Sequence, residues 1–214
     1  LTVAVLFLVA FAIVPMSSKA ATLVDVPAND PNARAINWAA DNVMQEVLDN
    51  NYFRPQSEMT ELQLARALAR LDSDYPSFNG YETSVIYNFY EEYNIPFDGT
   101  HDNTSRNENV TRGDFARIYA AFKGYDLSEL YAVQLLYVNE VTSGKTGKRT
   151  YEDFAPETAL TRAEAAQFLY NIAAKGNFSV KGINGEASGK DNQKITLPAG
   201  FTTSPIPTPT PDAD

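Results

Sequence analysis

The sequence predicts an all-α fold built from three helix–loop–helix units, and two observations carry that prediction. Three similar segments contain Thr60, Thr111 and Thr161, which are 51 and 50 residues apart. Counted from each threonine, positions +4, +7, +8 and +11 are apolar in all three segments. This spacing marks one face of an α-helix, and its recurrence at a fixed period indicates internal repeats.

Each of the three threonines is predicted to cap the second helix of its unit. The residue three positions later is Gln, Asp or Glu, and its side chain can return to the backbone amide of the capping residue. The predicted capping motif consists of Thr60 with Gln63, Thr111 with Asp114, and Thr161 with Glu164.

A first helix is predicted upstream of each capped helix. In the first unit Asp30 is the expected cap and Pro31 the first helical residue. In the third unit Asp126 with Glu129 is expected to cap, whereas the middle unit has a weaker start signal. The apolar stripes are Ile36, Ala40, Val43 and Val47, then Ile86, Phe89 and Tyr93, then Leu130, Val133, Tyr137 and Val141.

The units are placed at residues 21–72, 73–124 and 125–176. One helix pair cannot bury its apolar face alone, so the three are expected to pack around a shared core. Residues 177–200 contain two apolar runs around a Gly/Asn/Ser-rich segment, which suggests a short β-hairpin, with an unstructured link as the alternative. Residues 201–214 alternate proline with threonine and are predicted to be an extended linker.

Residues 1–20 are predicted to be a signal peptide. An apolar run over residues 3–14 is followed by Ser18-Lys19-Ala20, so cleavage is expected after Ala20. The run is shorter than the ~20 residues of a spanning helix. The protein is therefore expected to be secreted, with no membrane contact after cleavage.

Composition excludes several function classes. The 17 Lys+Arg and 27 Asp+Glu residues give a net charge of −10, which argues against a nucleic-acid partner. The chain has no Cys and one His, so it lacks the residues for a thiolate metal site or a Cys nucleophile. The acidic stretch around His101 fails the EF-hand spacing, so no metal and no cofactor are predicted.

Several short motifs occur in register with the repeats. The first repeat has Asp25-Val26, Trp38-Ala39 and Phe53-Arg54-Pro55, and the third has Phe154-Ala155-Pro156 and Thr161-Arg162-Ala163-Glu164. Together they resemble the S-layer homology (SLH) domain. The middle repeat keeps Thr111-Arg112-Gly113-Asp114 but lacks the Phe-x-Pro turn.

The resemblance implies a non-enzymatic anchor in which three tandem SLH repeats form a pseudo-threefold bundle. Grooves between repeats of this family hold secondary cell-wall polysaccharide attached to peptidoglycan, often bearing acidic pyruvate ketals. The resemblance therefore implies a protein of the cell wall or S-layer of a Gram-positive bacterium. The family's ligand-contacting arginine maps to Arg112 and Arg162, whereas Glu61 takes that position in the first repeat.

Arg162 and Arg112 are the first candidate ligand-binding residues. A cation at the first helical position opposes the helix dipole, at a cost of about 0.3–1 kcal/mol when exposed. The placement makes sense if free amide hydrogens and the guanidinium together receive a carboxylate. The alternative is that each arginine pairs with an acid of another repeat.

Trp38 is the third candidate, either as a platform for a sugar ring or as a core residue. Lys145, Lys148 and Arg149 form a basic loop, read either as a solvated segment or as a flexible lip that attracts an acidic polymer. Two other functions stay open: a self-assembling surface-layer component, and the anchoring part of a wall hydrolase that uses two carboxylates.

Overall fold

The computed structural model describes residues 23–75 and 81–191 of the chain. Within these two ranges the protein is mostly helical and has isolated β-bridges but no sheet, which confirms the all-α prediction. Short 3₁₀ turns occur at Gln45–Val47, Asp98–Thr100 and Ser105–Asn107. The α-helices of the described ranges are α1 (Ala33–Asn42), α2 (Glu61–Leu71), α3 (Thr83–Glu92), α4 (Arg112–Phe122), α5 (Glu129–Val138), α6 (Tyr151–Phe154) and α7 (Arg162–Ala173).

The three predicted capping boxes are formed at the starts of α2, α4 and α7. At α4 the Asp114 amide donates to Thr111 Oγ1 at 3.0 Å, and the Thr111 amide donates to Asp114 Oδ2 at 2.8 Å. Each cap contributes about 1 kcal/mol by satisfying amides that a helix start leaves unpaired.

The repeated apolar face is the core side of these three helices. Of its twelve side chains, Leu71 is half-buried and the others are buried in one continuous cluster. The shared core expected from the sequence is therefore present in the described part of the chain.

The long helices pair between units, whereas the short α6 packs on α5 within the third unit. α2 packs on α3, and α4 packs on α5. The last helix, α7, packs on α1, which closes the arrangement into a cycle. Each apolar face is thus buried by a neighbouring unit. A single unit on its own would leave that face exposed to water.

A ring of backbone hydrogen bonds lies where the three capped helices begin. The Met59 amide donates to the Leu160 carbonyl at 2.8 Å, the Leu160 amide to Val110 at 2.9 Å, and the Val110 amide to Met59 at 3.0 Å. All three side chains are buried. The approximate threefold symmetry is therefore built into the backbone immediately before the three caps.

Two predicted helix starts are wrong. α1 begins at Ala33, because the Asp30 carboxylate accepts from the Asn32 amide and holds a turn there instead of capping at Pro31. α5 follows Ser128, and the Asp126 carboxylate accepts hydrogen bonds from Ser188 and Gly189 instead. In both cases a polar side chain has a competing partner that helix periodicity does not reveal.

Residues 178–189 form a strap across the helix ends rather than a hairpin strand. The Phe178 carbonyl accepts from the Ser73 amide at 2.8 Å, and the Phe178 ring stacks on Phe122 at 5.0 Å. The Lys181 amide donates to Phe122 and the Ile183 amide to Tyr93. The apolar residues of the strap pack on the bundle. The second apolar run expected in the hairpin, residues 194–197, lies outside the described residues.

Two further predictions concern residues that the structure does not describe. The signal peptide at residues 1–20 and the linker at residues 201–214 both stay predictions. In the described part of the chain, no helix has the length and apolar character needed to cross a membrane.

Candidate functional site

Three junctions between units hold the first residues of the three capped helices. The α7 junction joins the start of α7 to residues 53–57, and the α4 junction joins the start of α4 to residues 154–158. The α2 junction joins the start of α2 to residues 97–108. The first helical residues at these places are Arg162, Arg112 and Glu61, so the candidate positions lie between units, as expected for grooves.

The backbone amides at these helix starts already donate hydrogen bonds to the neighbouring unit. The prediction that they are free to receive a ligand carboxylate is therefore wrong. At the α7 junction the Arg162 amide donates to Ser57 and the Ala163 amide to Pro55, both at 2.9 Å. At the α4 junction the Arg112 amide donates to Thr158 at 2.9 Å. The neighbouring unit supplies carbonyls where a ligand was expected, so only the guanidinium groups remain as anion contacts.

Arg112 is buried in an internal ion pair. Its side chain is 2% exposed, and its Nη1 lies 2.8 Å from Glu164 Oε1. Its Nε donates to the Phe154 carbonyl at 2.6 Å, and its guanidinium lies over the Phe154 and Phe168 rings. Burial lowers the pKa of Arg112, and the Glu164 charge opposes that change. Of the two roles considered from the sequence, Arg112 therefore has the second: it pairs with an acid of another repeat.

Arg162 has a different environment. Its Nη1 donates to the Phe53 carbonyl at 3.1 Å and to the Val47 carbonyl at 3.3 Å. None of the ion pairs in the described part of the chain includes it, and its buried Nε has no hydrogen-bond partner there. Burial and the charge of Arg54 lower the pKa of Arg162, and Asp25 raises it. Arg162 is thus a half-buried cation with carbonyl partners.

The α7 junction contains further residues that the sequence did not single out as ligand contacts. Asp25 accepts from the Phe53 and Arg54 amides at 2.9 and 2.7 Å, which orders the turn beneath Arg162. Arg54 pairs with the exposed Asp49. Tyr52 is 43% exposed, an unusual exposure for a large side chain in this protein. The Asp-Val and Phe-x-Pro motifs indicated this turn in the sequence. They did not indicate that the turn lies next to Arg162.

Trp38 and Arg162 are not brought together. Trp38 is half-buried, and its ring meets that of Tyr170 edge-on at 5.6 Å between centroids. Tyr170 stands eight residues after Arg162 on α7, which is about 12 Å along the helix axis. A ligand that touched both residues would have to extend along α7.

The α2 junction has the opposite charge. The Glu61 side chain is buried and accepts hydrogen bonds from the Asp98 amide at 2.8 Å, the Gly99 amide at 2.9 Å and the Tyr87 hydroxyl at 2.8 Å. Burial raises the pKa of Glu61, and these three hydrogen bonds oppose that rise. Glu61 therefore organises the turn at residues 98–100.

A cleft of about 500 Å³ adjoins this junction. It is lined by more acids than bases, which does not suit an acidic polymer. Within the described ranges, no group of three or more His, Asp or Glu side chains is arranged to hold a metal ion. The charged lining residues are Glu61, Glu91, Asp98, Glu108, Asp114 and Glu186, with Arg117 and His101.

One comparison with known proteins gives a match. Residues 125–166, about one fifth of the chain, match the family model of the S-layer homology domain. The matched segment runs from the turn before α5 into the first turns of α7, inside the third predicted repeat. No curated protein matches the chain. S-layer homology domains generally mediate cell-wall anchoring or S-layer association, and they are binding modules rather than catalytic ones.

Proposed function

We propose that this protein is secreted and held non-covalently on the wall of a Gram-positive bacterium by binding acidic, pyruvate-bearing secondary cell-wall polysaccharide. The match to the S-layer homology domain supports attachment to the wall or the S-layer. The acidic polysaccharide is the more specific part of the proposal. All three repeats are proposed to belong to this family, although the match covers the third.

The environment of Arg162 is the observation that carries the proposal. Two backbone carbonyls position its guanidinium, and no described carboxylate neutralises it within ion-pair distance. A second cation, Arg54, lies near enough to lower the pKa of Arg162, although Arg54 itself pairs with Asp49 and Asp25 acts in the opposite direction. In a chain of net charge −10, such a site favours a carboxylate from outside.

The other two candidates have different roles in this proposal. Arg112 supports the bundle from inside and is not a ligand contact in the described conformation. Trp38 is proposed to stack on a sugar ring of a chain that also reaches Arg162, since its ring partner Tyr170 lies about 12 Å from Arg162 along α7. That distance favours a polymer over a single sugar.

Sedimentation with purified wall sacculi tests the proposal. Residues 21–214 should co-sediment with intact Gram-positive sacculi and stay in solution with sacculi whose polysaccharide has been chemically stripped. Equal binding to stripped sacculi would overturn the acidic-polymer part. Assembly into sedimenting particles without wall material would favour a surface-layer component instead.

Replacing Arg162 with alanine tests the site itself. The expected result is about a tenfold or greater loss of affinity, because a charge-assisted contact is removed. The matched control is Arg66→Ala, which removes another half-buried helical arginine, one bonded to Thr83. Far-ultraviolet circular dichroism should be unchanged in both variants, and equal wall binding by Arg162→Ala would remove that residue from the site.

A further inference from the structure

The basic loop, residues 144–150, is the one place in the chain where three cations fall within five residues. Lys145, Lys148 and Arg149 are all exposed. None of them takes part in an ion pair within the described ranges. Of the flanking acids Glu140 and Glu152, Glu140 pairs with Lys175. The loop is therefore a compact positive patch on a protein of opposite net charge.

The loop is ordered around one carboxylate and is not the flexible lip considered from the sequence. Asp153 Oδ1 accepts from the Thr146 amide at 2.8 Å, and its Oδ2 accepts from the Lys148 amide at 3.0 Å. At Gly144, which has a φ of 87°, a β-carbon would collide with this carboxylate. Arg149 also has a positive φ, of 57°. Such residues persist where the surroundings impose the conformation.

An ordered loop binds an anion at a lower entropic cost than a flexible one. The Tyr137 hydroxyl donates to the Thr150 carbonyl at 2.8 Å and holds the far end of the loop on α5. The backbone of the three cations is thus set before any ligand arrives. Only their side chains lose freedom on binding.

The loop lies at the α4 junction. The Lys145 ammonium lies 3.3 Å from the Thr158 hydroxyl, and the Thr158 carbonyl accepts the Arg112 amide. The Arg112 guanidinium is enclosed at this place, so the positive charge that meets solvent there comes from the loop, beside the exposed Glu157. The α7 junction differs, because its own arginine is half-exposed.

We propose that the basic loop is a second anion-binding site, which takes carboxylate groups of an acidic polysaccharide at the α4 junction in place of the buried Arg112. The inference rests on the proposed function for the identity of the polymer. Two sites on one rigid bundle, Arg162 and the basic loop, would hold one chain or two chains at once. Retention then exceeds the affinity of either site.

The test uses the full mature chain and the double variant Lys148→Ala/Arg149→Ala. Both side chains are exposed, so the fold should be kept, as checked by circular dichroism. The probes are wall polysaccharide released from sacculi and polygalacturonate, a carboxylate polymer unrelated to the wall. Affinity for both should fall about tenfold, with a weaker dependence on salt.

The control variant is Lys181→Ala/Lys190→Ala, which removes two exposed cations elsewhere and gives the same net charge. Equal losses in both double variants would mean that bulk charge alone matters and would overturn the proposal. Unchanged affinity in the loop variant would do the same. The charge-preserving variant Lys148→Arg/Arg149→Lys should bind as the parent does.

Failure of the proposed function has a different signature. If the parent chain ignores wall polysaccharide but binds polygalacturonate through the loop, the anion site stands and the wall function fails. If it binds neither polymer, both fail. If the loop variant instead abolishes self-association measured by light scattering without polymer, the loop contacts a second copy of this chain, and the anion-site proposal is overturned.

Discussion

The same helical position has three different roles in this protein. Arg162 is held by carbonyls and is half-buried, Arg112 is enclosed by Glu164 and two aromatic rings, and Glu61 binds the amides of the neighbouring turn. The helix start is similar in each case, since all three have the same capping box. The role of each residue is decided by the turn that packs against it from another unit.

Replacing Arg112 with alanine should destabilise the fold by about 2–3 kcal/mol, because it removes the charge-assisted hydrogen bonds of a buried side chain and leaves Glu164, which is 25% exposed, without its cation. Arg162→Ala should cost less, about 1–2 kcal/mol, since it removes hydrogen bonds to two carbonyls at a partly solvated place. Urea unfolding of both variants measures the difference. Equal stability of the Arg112 variant and the parent would contradict the structural role of Arg112.

The strap is the element that ties the helix ends together, and it does so through two carboxylates whose pKa values are shifted in opposite directions. Burial raises the pKa of Asp72, and the hydrogen bonds from Asp74 and Val180 oppose that rise. Burial would also raise the pKa of Asp126, but hydrogen bonds from Ser188 and Gly189 outweigh it and lower the pKa. Folding thus raises the pKa of Asp72 and lowers that of Asp126.

The two carboxylates should give opposite pH dependence of stability. Asp72 binds its proton more tightly in the folded state, so its contribution falls as pH rises above the ordinary aspartate pKa. Asp126 contributes stability that is present above the ordinary pKa and is lost as pH falls through its lowered pKa.

Urea unfolding between pH 3 and pH 7 of Asp72→Asn and Asp126→Asn measures this difference. Asp72→Asn should gain stability relative to the parent at neutral pH and lose that advantage in acid. Asp126→Asn should be less stable at neutral pH and approach the parent in acid. The same direction of change in both variants would contradict this account of the strap.

At the scale of the whole molecule, the units depend on one another. α5 packs on α4, and α7 packs on α1, so the two long helices of the third unit have their main packing partners in other units. The backbone ring of Met59, Val110 and Leu160 also needs all three units. Stability is therefore a property of the closed cycle rather than a sum over independent repeats.

The isolated third unit, residues 125–176, should not fold cooperatively, because its apolar faces would meet water. Thermal melting followed by circular dichroism should give a broad, low-amplitude change for this fragment. Residues 21–191 should melt in one sharp transition. A cooperative melt of the fragment, at a temperature near that of the longer chain, would show that closure of the cycle is dispensable.

Local patterns were sufficient for the three threonine-capped helices. The threonine segments placed α2, α4 and α7 correctly, because capping and amphipathic spacing depend on residues within about three turns. The starts of α1 and α5 were misplaced because Asp30 and Asp126 bond to partners that the pattern does not specify, one in a local turn and one 62 residues away. The strap was unpredictable for the same reason, since its partners come from distant parts of the chain.

The order of residues by itself determined where the capped helices begin, which faces are apolar and how the net charge is distributed. Only the tertiary structure decided that Arg112 is enclosed, that Arg162 stays half-exposed, and that the basic loop lies at the α4 junction. The physical reason is that a charge's solvation and partners depend on which surfaces meet when the cycle closes, whereas a helix cap depends on its own neighbours in the chain.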